Sequence, residues 1–365
     1  MPDLSASSPY FPSRRDWLTV ALAAPALALA GCATQAGPHA AMASSTSSTS
    51  STSSVPSLPW QPWAMPGVRS MDLPAAPLPG SSAPRQHRVM VYVPQGPAPA
   101  AGWPVVYVLD GNLMFPFIAQ LVHNRSARGP ELRSSSAIVV GLGHALPQDS
   151  AEVHDRIART YDYTLPYDGV GPDSQGRAQG GADVFLDWIA QQLQPLLQAA
   201  LPINVQQQTL VGHSYGGLCT LHALFTRPGM FQRHVAASPS LWWGNGTLLQ
   251  ECHRFIARYN PTGGQALPAP LQLHLSQGSE ELAGRRPGAP ARAANPEREA
   301  SARQAQAVAQ QLGLGSTADL PAALQPVRGL TCSYQVWPGA NHGGTQLYAC
   351  MQAAQVGTDW DAVPS

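Results

Sequence analysis

From residue 85 onward, short apolar runs alternate with longer stretches of helical character. Several short runs are apolar at consecutive positions, as in PVVYVLD at 104–110 and SAIVVGLG at 136–143. Such runs are typical of strands that are buried on both faces of a mostly parallel sheet. The predicted strands are 87–94, 104–110, 136–143, 208–212, 233–239, 271–278 and 330–339.

Between the strands, longer stretches carry the spacing and end signals of helices. Alternation of strand and helix predicts the α/β class, with a mostly parallel central sheet and helices on both faces. Two stretches rich in Gly, Pro and Arg, at 167–182 and 284–295, are predicted as loops above the functional face. The predicted helices are 183–197, 216–225, 247–259, 297–312 and 344–354.

The N-terminus has the parts of an export signal. Arg14 and Arg15 precede an apolar run at 17–30, and Leu-Ala-Gly-Cys ends at Cys32. The run is too short to span a bilayer, which takes about 20 helical residues. The basic pair resembles a twin-arginine signal, and the tetrapeptide resembles a bacterial lipobox whose cysteine becomes lipidated. An ordinary signal peptide that happens to contain a cysteine is the alternative.

Residues 33–84 are mostly Ala, Ser, Thr and Pro, with the tract SSTSSTSSTSS at 44–54. This composition is too poor in apolar side chains to offset its ordering entropy, so we predict a tether. The expected organisation is a signal with lipobox at 1–32, a tether at 33–84 and a catalytic domain at 85–365. No Asp follows Cys32, so we expect a periplasmic protein whose lipid anchors it to the outer membrane, with no other membrane contact.

Charge excludes one class of partner. Charged residues make up 12% of the chain, and 21 basic residues balance 21 acidic ones, so a nucleic acid is not an expected partner. Every basic residue is arginine, so an anionic ligand would meet planar guanidinium groups. No spacing of Cys and His resembles a zinc site, and we expect neither a metal nor another cofactor.

The most informative motif is GHSYG at 212–216, where an apolar strand enters and a helix leaves. This is the G-x-S-x-G nucleophile elbow, in which glycines allow a strained turn that exposes the serine at a helix N-terminus. We therefore predict Ser214 as the nucleophile. The alternative is a glycine-rich turn whose serine only caps the helix.

A serine nucleophile needs a histidine base, and chain order selects it. In this architecture the order is Ser, acid, His. Of the 11 histidines, only His342 follows the last strand that can carry the acid, and it lies in the loop PGANHGG. His213 and His222 flank the nucleophile, and we predict packing or hydrogen-bonding roles for both.

The acid is predicted where strand 271–278 ends. Glu280 and Glu281 follow at once, and no Asp occurs between Asp187 and Asp319. Spacing from Gly278 favours Glu281, with Glu280 as the competitor.

An oxyanion hole requires two backbone N–H donors. Tyr215, directly after the nucleophile, is predicted to supply one. The second is expected at Gly111 or Asn112, in the turn after strand 104–110. Asp110 is expected to brace that turn rather than to transfer protons.

Five motifs together resemble one branch of the α/β-hydrolases, the Putative esterase family, and within it the periplasmic enterobactin, salmochelin and bacillibactin esterases. The resemblance covers about residues 85–356. It implies Ser214 as nucleophile, His342 as base and Asn112 as the second oxyanion donor, with a variable acid. The motifs are YVLDGN, RTYDYTLP, GHSYGG, SPSLWW and NHGG.

Three further residues are candidates for substrate binding. The resemblance places Arg159 at the substrate pocket, where a fixed cation suits catecholate oxygens. An internal pair of Arg159 with Asp162 is the alternative. Trp242 and Trp243 are expected either as an aromatic wall beside the serine or as core.

These features lead to a functional hypothesis: a serine esterase that opens a catecholate trilactone siderophore through an acyl-enzyme. We expect a small-molecule ester as the partner, and the ferric siderophore is one candidate. One alternative is an esterase for another small acyl or acetyl ester. A non-catalytic siderophore-binding lipoprotein is an alternative of a different class. The oligomeric state is left open.

Overall fold

An eight-stranded sheet forms the centre of the protein in the computed structural model, which describes residues 64–126, 136–147, 150–282 and 295–360. Its central strands are buried along their whole length. Residues 103–108 and 138–144 are almost entirely apolar, as the consecutive apolar runs predict, whereas 233–237 also buries Arg233 and His234. The strands are β1 (Val68–Ala75), β2 (Arg85–Tyr92), β3 (Trp103–Val108), β4 (Ile138–His144), β5 (Ile203–His213), β6 (Arg233–Ala237), β7 (Leu271–Gly278) and β8 (Leu330–Trp337).

The strand order is β1-β2-β4-β3-β5-β6-β7-β8. The pairs β1 with β2 and β2 with β4 are antiparallel, whereas β4, β3 and β5 through β8 run parallel. The parallel strands all end at one edge of the sheet, so the loops that follow β3, β5, β6, β7 and β8 converge there.

Helices cover both faces of the sheet. One face packs against α1 and α10, while α3, α4, α5 and α6 cover the other. The helices are α1 (Gly111–Ser126), α2 (Arg156–Tyr163), α3 (Ala182–Trp188), α4 (Gln194–Ala200), α5 (Tyr215–Thr226), α6 (Thr247–Tyr259), α7 (Ser279–Leu282), α8 (Pro296–Leu312), α9 (Leu320–Leu324) and α10 (Thr345–Thr358).

The predicted boundary of the tether at residue 84 is wrong at its C-terminal end. Residues 68–75 form β1, which pairs with β2 along its whole length and packs Met71 and Leu73 against the core. Composition suggested a tether because residues 33–84 as a whole are mostly Ala, Ser, Thr and Pro. Its order comes from strand pairing with β2, which composition does not reveal.

Four helices, α1, α2 and the short α7 and α9, lie outside the predicted helices, and one predicted helix is divided. The predicted helix 183–197 consists of α3, a π-helical turn at Ile189–Leu193 and α4. The loop at 167–182 is a loop up to Gly181, while most of 284–295 lies outside the described residues.

The predicted signal, Cys32 and residues 33–63 of the tether also lie outside the described residues. Among the described helices, none combines the length and the hydropathy needed to cross a bilayer. The four cysteines in the described part of the chain, Cys219, Cys252, Cys332 and Cys350, are free thiols. Burial raises the pKa of Cys252, Cys332 and Cys350 to about 12.

Candidate active site

The nucleophile elbow lies between β5 and α5. Ser214 has φ 60° and ψ −116°, a conformation that an L-residue adopts only under strain. A Cβ atom at Gly212 would overlap the carbonyl group of Gly216, and one at Gly217 would lie 2.9 Å from the carbonyl oxygen of Ala237. Glycine is therefore required at both positions if the turn is to hold Ser214 above the carboxyl edge of the sheet.

Ser214, His342 and Glu281 form one hydrogen-bonded chain. Ser214 Oγ lies 3.0 Å from His342 Nε2, and His342 Nδ1 lies 2.6 Å from Glu281 Oε2. The three side chains come from the segments that directly follow β5, β8 and β7, which meet because these strands are parallel. With Nδ1–H donating to the carboxylate, Nε2 is left as an acceptor for the serine proton.

Four donors hold the Glu281 carboxylate. Besides His342 at Oε2, Oε1 accepts from Ser238 Oγ at 2.6 Å, Gly278 N at 2.9 Å and Thr345 Oγ1 at 3.0 Å. Burial raises the pKa of Glu281, but the hydrogen bonds from His342, Ser238 and Gly278 outweigh it and lower the pKa to about 2. The group is therefore ionised at neutral pH, as an acid that orients a histidine must be.

Replacing Glu281 by alanine should lower kcat for ester hydrolysis by about 10²- to 10⁴-fold, because His342 loses the group that selects its tautomer. The neighbouring Glu280→Ala variant is the matched control and should remain within about threefold of the wild type. Steady-state rates on a soluble ester measure both. A larger loss of kcat in Glu280→Ala than in Glu281→Ala would show that Glu281 is not the acid.

His213 and His222 make the hydrogen-bonding contacts that were predicted for them. His213 Nε2 donates to the backbone oxygen of His342 at 2.8 Å, so it braces the loop of the candidate base. His222 lies between Asp183 and Glu251, at 3.2 Å and 2.8 Å. Burial lowers the pKa of His222, but the two carboxylates outweigh it and raise the pKa. The hydrogen bonds of this ring link α3, α5 and α6.

The two predicted oxyanion donors begin helices at the same edge. Tyr215 is the first residue of α5 and Asn112 the second of α1, positions whose N–H groups have no partner within the helix. The Asn112 side chain fixes its turn against β4: Oδ1 accepts from His144 N at 2.7 Å, and Nδ2 donates to His144 O at 3.1 Å. The turn that carries Asn112 is thus held in place by hydrogen bonds within the protein.

Arg159 pairs with Asp110, and the alternative pair with Asp162 is wrong. Arg159 Nε and Nη2 donate to the two oxygens of Asp110 at 2.6 Å and 2.8 Å, while Asp162 binds Arg85. Within the described residues, the Arg159 hydrogen bonds use Nε and Nη2. Its guanidinium lies 5.6 Å from the ring centre of Tyr215, beside the nucleophile.

The two tryptophans have different environments. Trp243 is 3% exposed, and its indole N–H donates to Gln179 at 2.8 Å, so core packing describes it better. Trp242 is partly exposed and faces a cavity of about 260 Å³ that Trp243 and Tyr215 also line. Arg177 and Arg298 line the same cavity and were not among the sequence candidates. Nothing in the sequence marks an arginine in a loop or on a surface helix as part of a cavity wall.

One cluster in the described residues has the side chains of a metal site. Possible ligand atoms of His87, His144 and Asp162 lie within 4.8 Å of one another. Both Asp162 oxygens already accept from the Arg85 guanidinium, at 2.8 Å and 3.0 Å. A metal cation would have to displace this buried partner, so the residues fit an internal ion pair better than a metal.

Comparison with known proteins agrees with this geometry. Residues 80–313 match the family described as Putative esterase. The siderophore triacetylfusarinine C esterase of Aspergillus fumigatus is 37% identical over 154 residues, which cover 42% of this chain and 49% of that one. The siderophore enterobactin esterase of Emericella nidulans is 37% identical over 186 residues, which cover 48% and 57%. The chain thus matches only about half the length of these curated relatives.

A solved structure extends the similarity along the chain. Siderophore hydrolase EstB from Aspergillus nidulans superposes with a TM-score of 0.64 and 26% identity, covering 84% of this chain and all of that one. The predicted α/β-hydrolase fold is confirmed by this likeness and by the strand order. The match to the family model spans well over half of the sequence. The chain therefore belongs to the Putative esterase family.

Proposed function

We propose that the protein is a serine esterase that hydrolyses the ester bonds of a catecholate trilactone siderophore through an acyl-enzyme. The observation that carries this proposal is the chain of hydrogen bonds from Ser214 through His342 to Glu281 at a strained elbow. The siderophore esterases among its relatives support the substrate class.

In the first half of the reaction, Ser214 Oγ attacks the ester carbonyl and His342 Nε2 takes the serine proton. The carbonyl oxygen becomes an oxyanion that the N–H groups of Tyr215 and Asn112 stabilise. Collapse of this intermediate breaks the bond to the alcohol oxygen, which receives the proton from His342. The products of this half are the free alcohol and an acyl group on Ser214.

In the second half, His342 takes a proton from water, whose oxygen attacks the acyl carbonyl. The same two N–H donors stabilise the second oxyanion. Its collapse returns the proton to Ser214 Oγ and releases the carboxylic acid. Glu281 holds the imidazolium in place in both halves and stays ionised throughout.

An esterase for another small acyl group is a second candidate, because the cavity beside Tyr215 has a volume of only about 260 Å³. The non-catalytic binding lipoprotein is less favoured. A protein that only binds has no need for Ser214 in a strained conformation with a histidine 3.0 Å from its hydroxyl.

A panel of esters tests the proposal. Wild-type protein is incubated with metal-free trilactone, ferric trilactone and a short-chain aryl ester, and the products are followed by mass. We expect trilactone opening to be much faster than aryl-ester cleavage. Cleavage of the aryl ester alone would retain the mechanism and discard the substrate. Failure to cleave any ester or to react with a fluorophosphonate probe would refute the esterase.

We further propose that the enzyme acts in the periplasm, anchored through a lipid on Cys32. The twin-arginine-like pair and the Leu-Ala-Gly-Cys sequence support this location. Replacing Cys32 by serine should move the protein from the membrane fraction to the soluble periplasmic fraction. An unchanged distribution between the two fractions would contradict lipidation.

A further inference from the structure

The cavity that Trp242 faces is built from three separate segments. They are the loop after α2, the turn that follows β6, and the first turn of α8. Tyr215 links the cavity to the site because it follows Ser214 directly in sequence. We call this cavity the aryl-arm pocket; its lining includes Tyr167, Arg177, Tyr215, Trp242 and Arg298.

The pocket combines aromatic surface with guanidinium groups. The Arg298 guanidinium lies 4.4 Å from the ring centre of Trp242, within the distance of a cation–π contact. The Tyr215 ring centre lies 6.0 Å from that of Trp242. Burial raises the pKa of Tyr215, and the positive charges of Arg177, Arg159 and Arg298 oppose that rise. Three guanidinium groups therefore act on the residue next to the nucleophile.

Two carboxylates also line the pocket, and both have partners in the protein. Asp173 accepts from Arg177 Nε at 2.7 Å and from the backbone N–H groups of Gln175 and Arg177. Glu297 accepts from the backbone N–H of Ser174 at 2.7 Å. These contacts close the loop after α2 and bind it to α8.

The walls of the pocket are held together before any ligand arrives. Ser301 Oγ on α8 donates to the backbone oxygen of Trp242 at 2.8 Å and accepts from Asn245 N at 3.0 Å. With the bond from Ser174 to Glu297, all three segments are linked. A preformed pocket loses little entropy on binding, so it can select one ligand shape.

We propose that the aryl-arm pocket binds the catecholate ring of the substrate's acyl half, against Tyr215 and Trp242, with Arg298 and Arg177 facing the ring oxygens. The inference rests on the proposed function and adds its specificity determinants. A volume of about 260 Å³ accommodates one substituted benzene ring and its amide, but not a whole trilactone. Planar guanidinium groups suit adjacent, negatively polarised oxygens.

Three esters that differ only in the group on the serine nitrogen test the assignment. They are methyl esters of N-(2,3-dihydroxybenzoyl)serine, N-benzoylserine and N-acetylserine, so the reacting bond is the same in all. Wild-type enzyme should show the lowest KM for the dihydroxybenzoyl ester. In Arg298→Ala, the ratio of the KM for the dihydroxybenzoyl ester to the KM for the acetyl ester should rise about tenfold or more. The ratio in Arg298→Lys should lie between those of the wild type and Arg298→Ala.

Arg303→Ala is the matched control, because Arg303 lies on the same helix with an exposed side chain and does not line the pocket. Its KM ratio should equal that of the wild type. If the wild-type enzyme hydrolyses none of the three esters, the proposed function is refuted. Hydrolysis of all three with equal KM, or an equal loss on all three in Arg298→Ala, would overturn only the aryl-arm pocket. An equal KM for the benzoyl and dihydroxybenzoyl esters would show that the arginines do not recognise the ring oxygens.

Discussion

Replacing Ser214 by alanine should lower kcat for every ester that the enzyme cleaves by about 10⁴-fold or more. Among the described residues, the Ser214 hydroxyl is the group that can attack a carbonyl while donating its proton to His342, 3.0 Å away. Without it no acyl-enzyme forms, and the oxyanion donors can only assist direct attack by water. Single-turnover measurements with mass detection of the acylated protein check both the rate and the intermediate.

Fluorophosphonate labelling supplies the control for this variant. The wild type should be labelled at Ser214, and Ser214→Ala should not be labelled although it melts at a similar temperature. Ser240 is the matched position, since its hydroxyl lies 3.5 Å from Ser214 Oγ. Ser240→Ala should still react with the probe. Labelling that survives in Ser214→Ala would place the nucleophile elsewhere.

Replacing Asp110 by alanine should destabilise the fold by roughly 3 kcal/mol, because it removes one member of a buried ion pair. Asp110 is 2% exposed, and the side chain of Arg159 is 15% exposed. Burial raises the pKa of Asp110, but Arg159 outweighs it and keeps the pKa below its ordinary value. Without the carboxylate, the guanidinium stays largely buried beside Tyr163 and Tyr215 with no opposite charge. Denaturant unfolding of both proteins at neutral pH measures the difference.

The double variant Asp110→Ala, Arg159→Met separates a lost attraction from an orphaned charge. Removing the guanidinium as well should recover a large part of the lost stability, since no charge then remains buried without a partner. If the free energy of unfolding that the double variant loses equals the sum of the losses in the two single variants, the pair contributes by packing rather than by charge.

The parts of the site that were predictable are those with strict local requirements. The turn at Ser214 needs glycines at fixed spacing. Chain order then selected His342, and the spacing from Gly278 favoured Glu281; the structure places both in one hydrogen-bonded chain with Ser214. Buried strands are marked by continuous apolar runs, so six of the seven predicted strands were found within two residues of their expected bounds, while β5 begins five residues before the predicted 208.

What could not be predicted depends on contacts between distant parts of the chain. β1 is ordered by pairing with β2, although its own composition resembles a linker. Arg159 bonds to Asp110, 49 residues away, rather than to Asp162, three residues along the same helix. The position of Arg298 over Trp242 depends on how α8 packs, and no local pattern encodes it.

The free thiols bear on the order of folding and export. A twin-arginine route, which the N-terminal sequence predicts, carries proteins that have already folded in a reducing compartment. Since Cys219, Cys252, Cys332 and Cys350 are unpaired in the finished structure, the catalytic domain needs no oxidant to complete its fold. Protein made in a reducing cytoplasm should therefore have the same activity as protein recovered from an oxidising compartment, with or without added reductant.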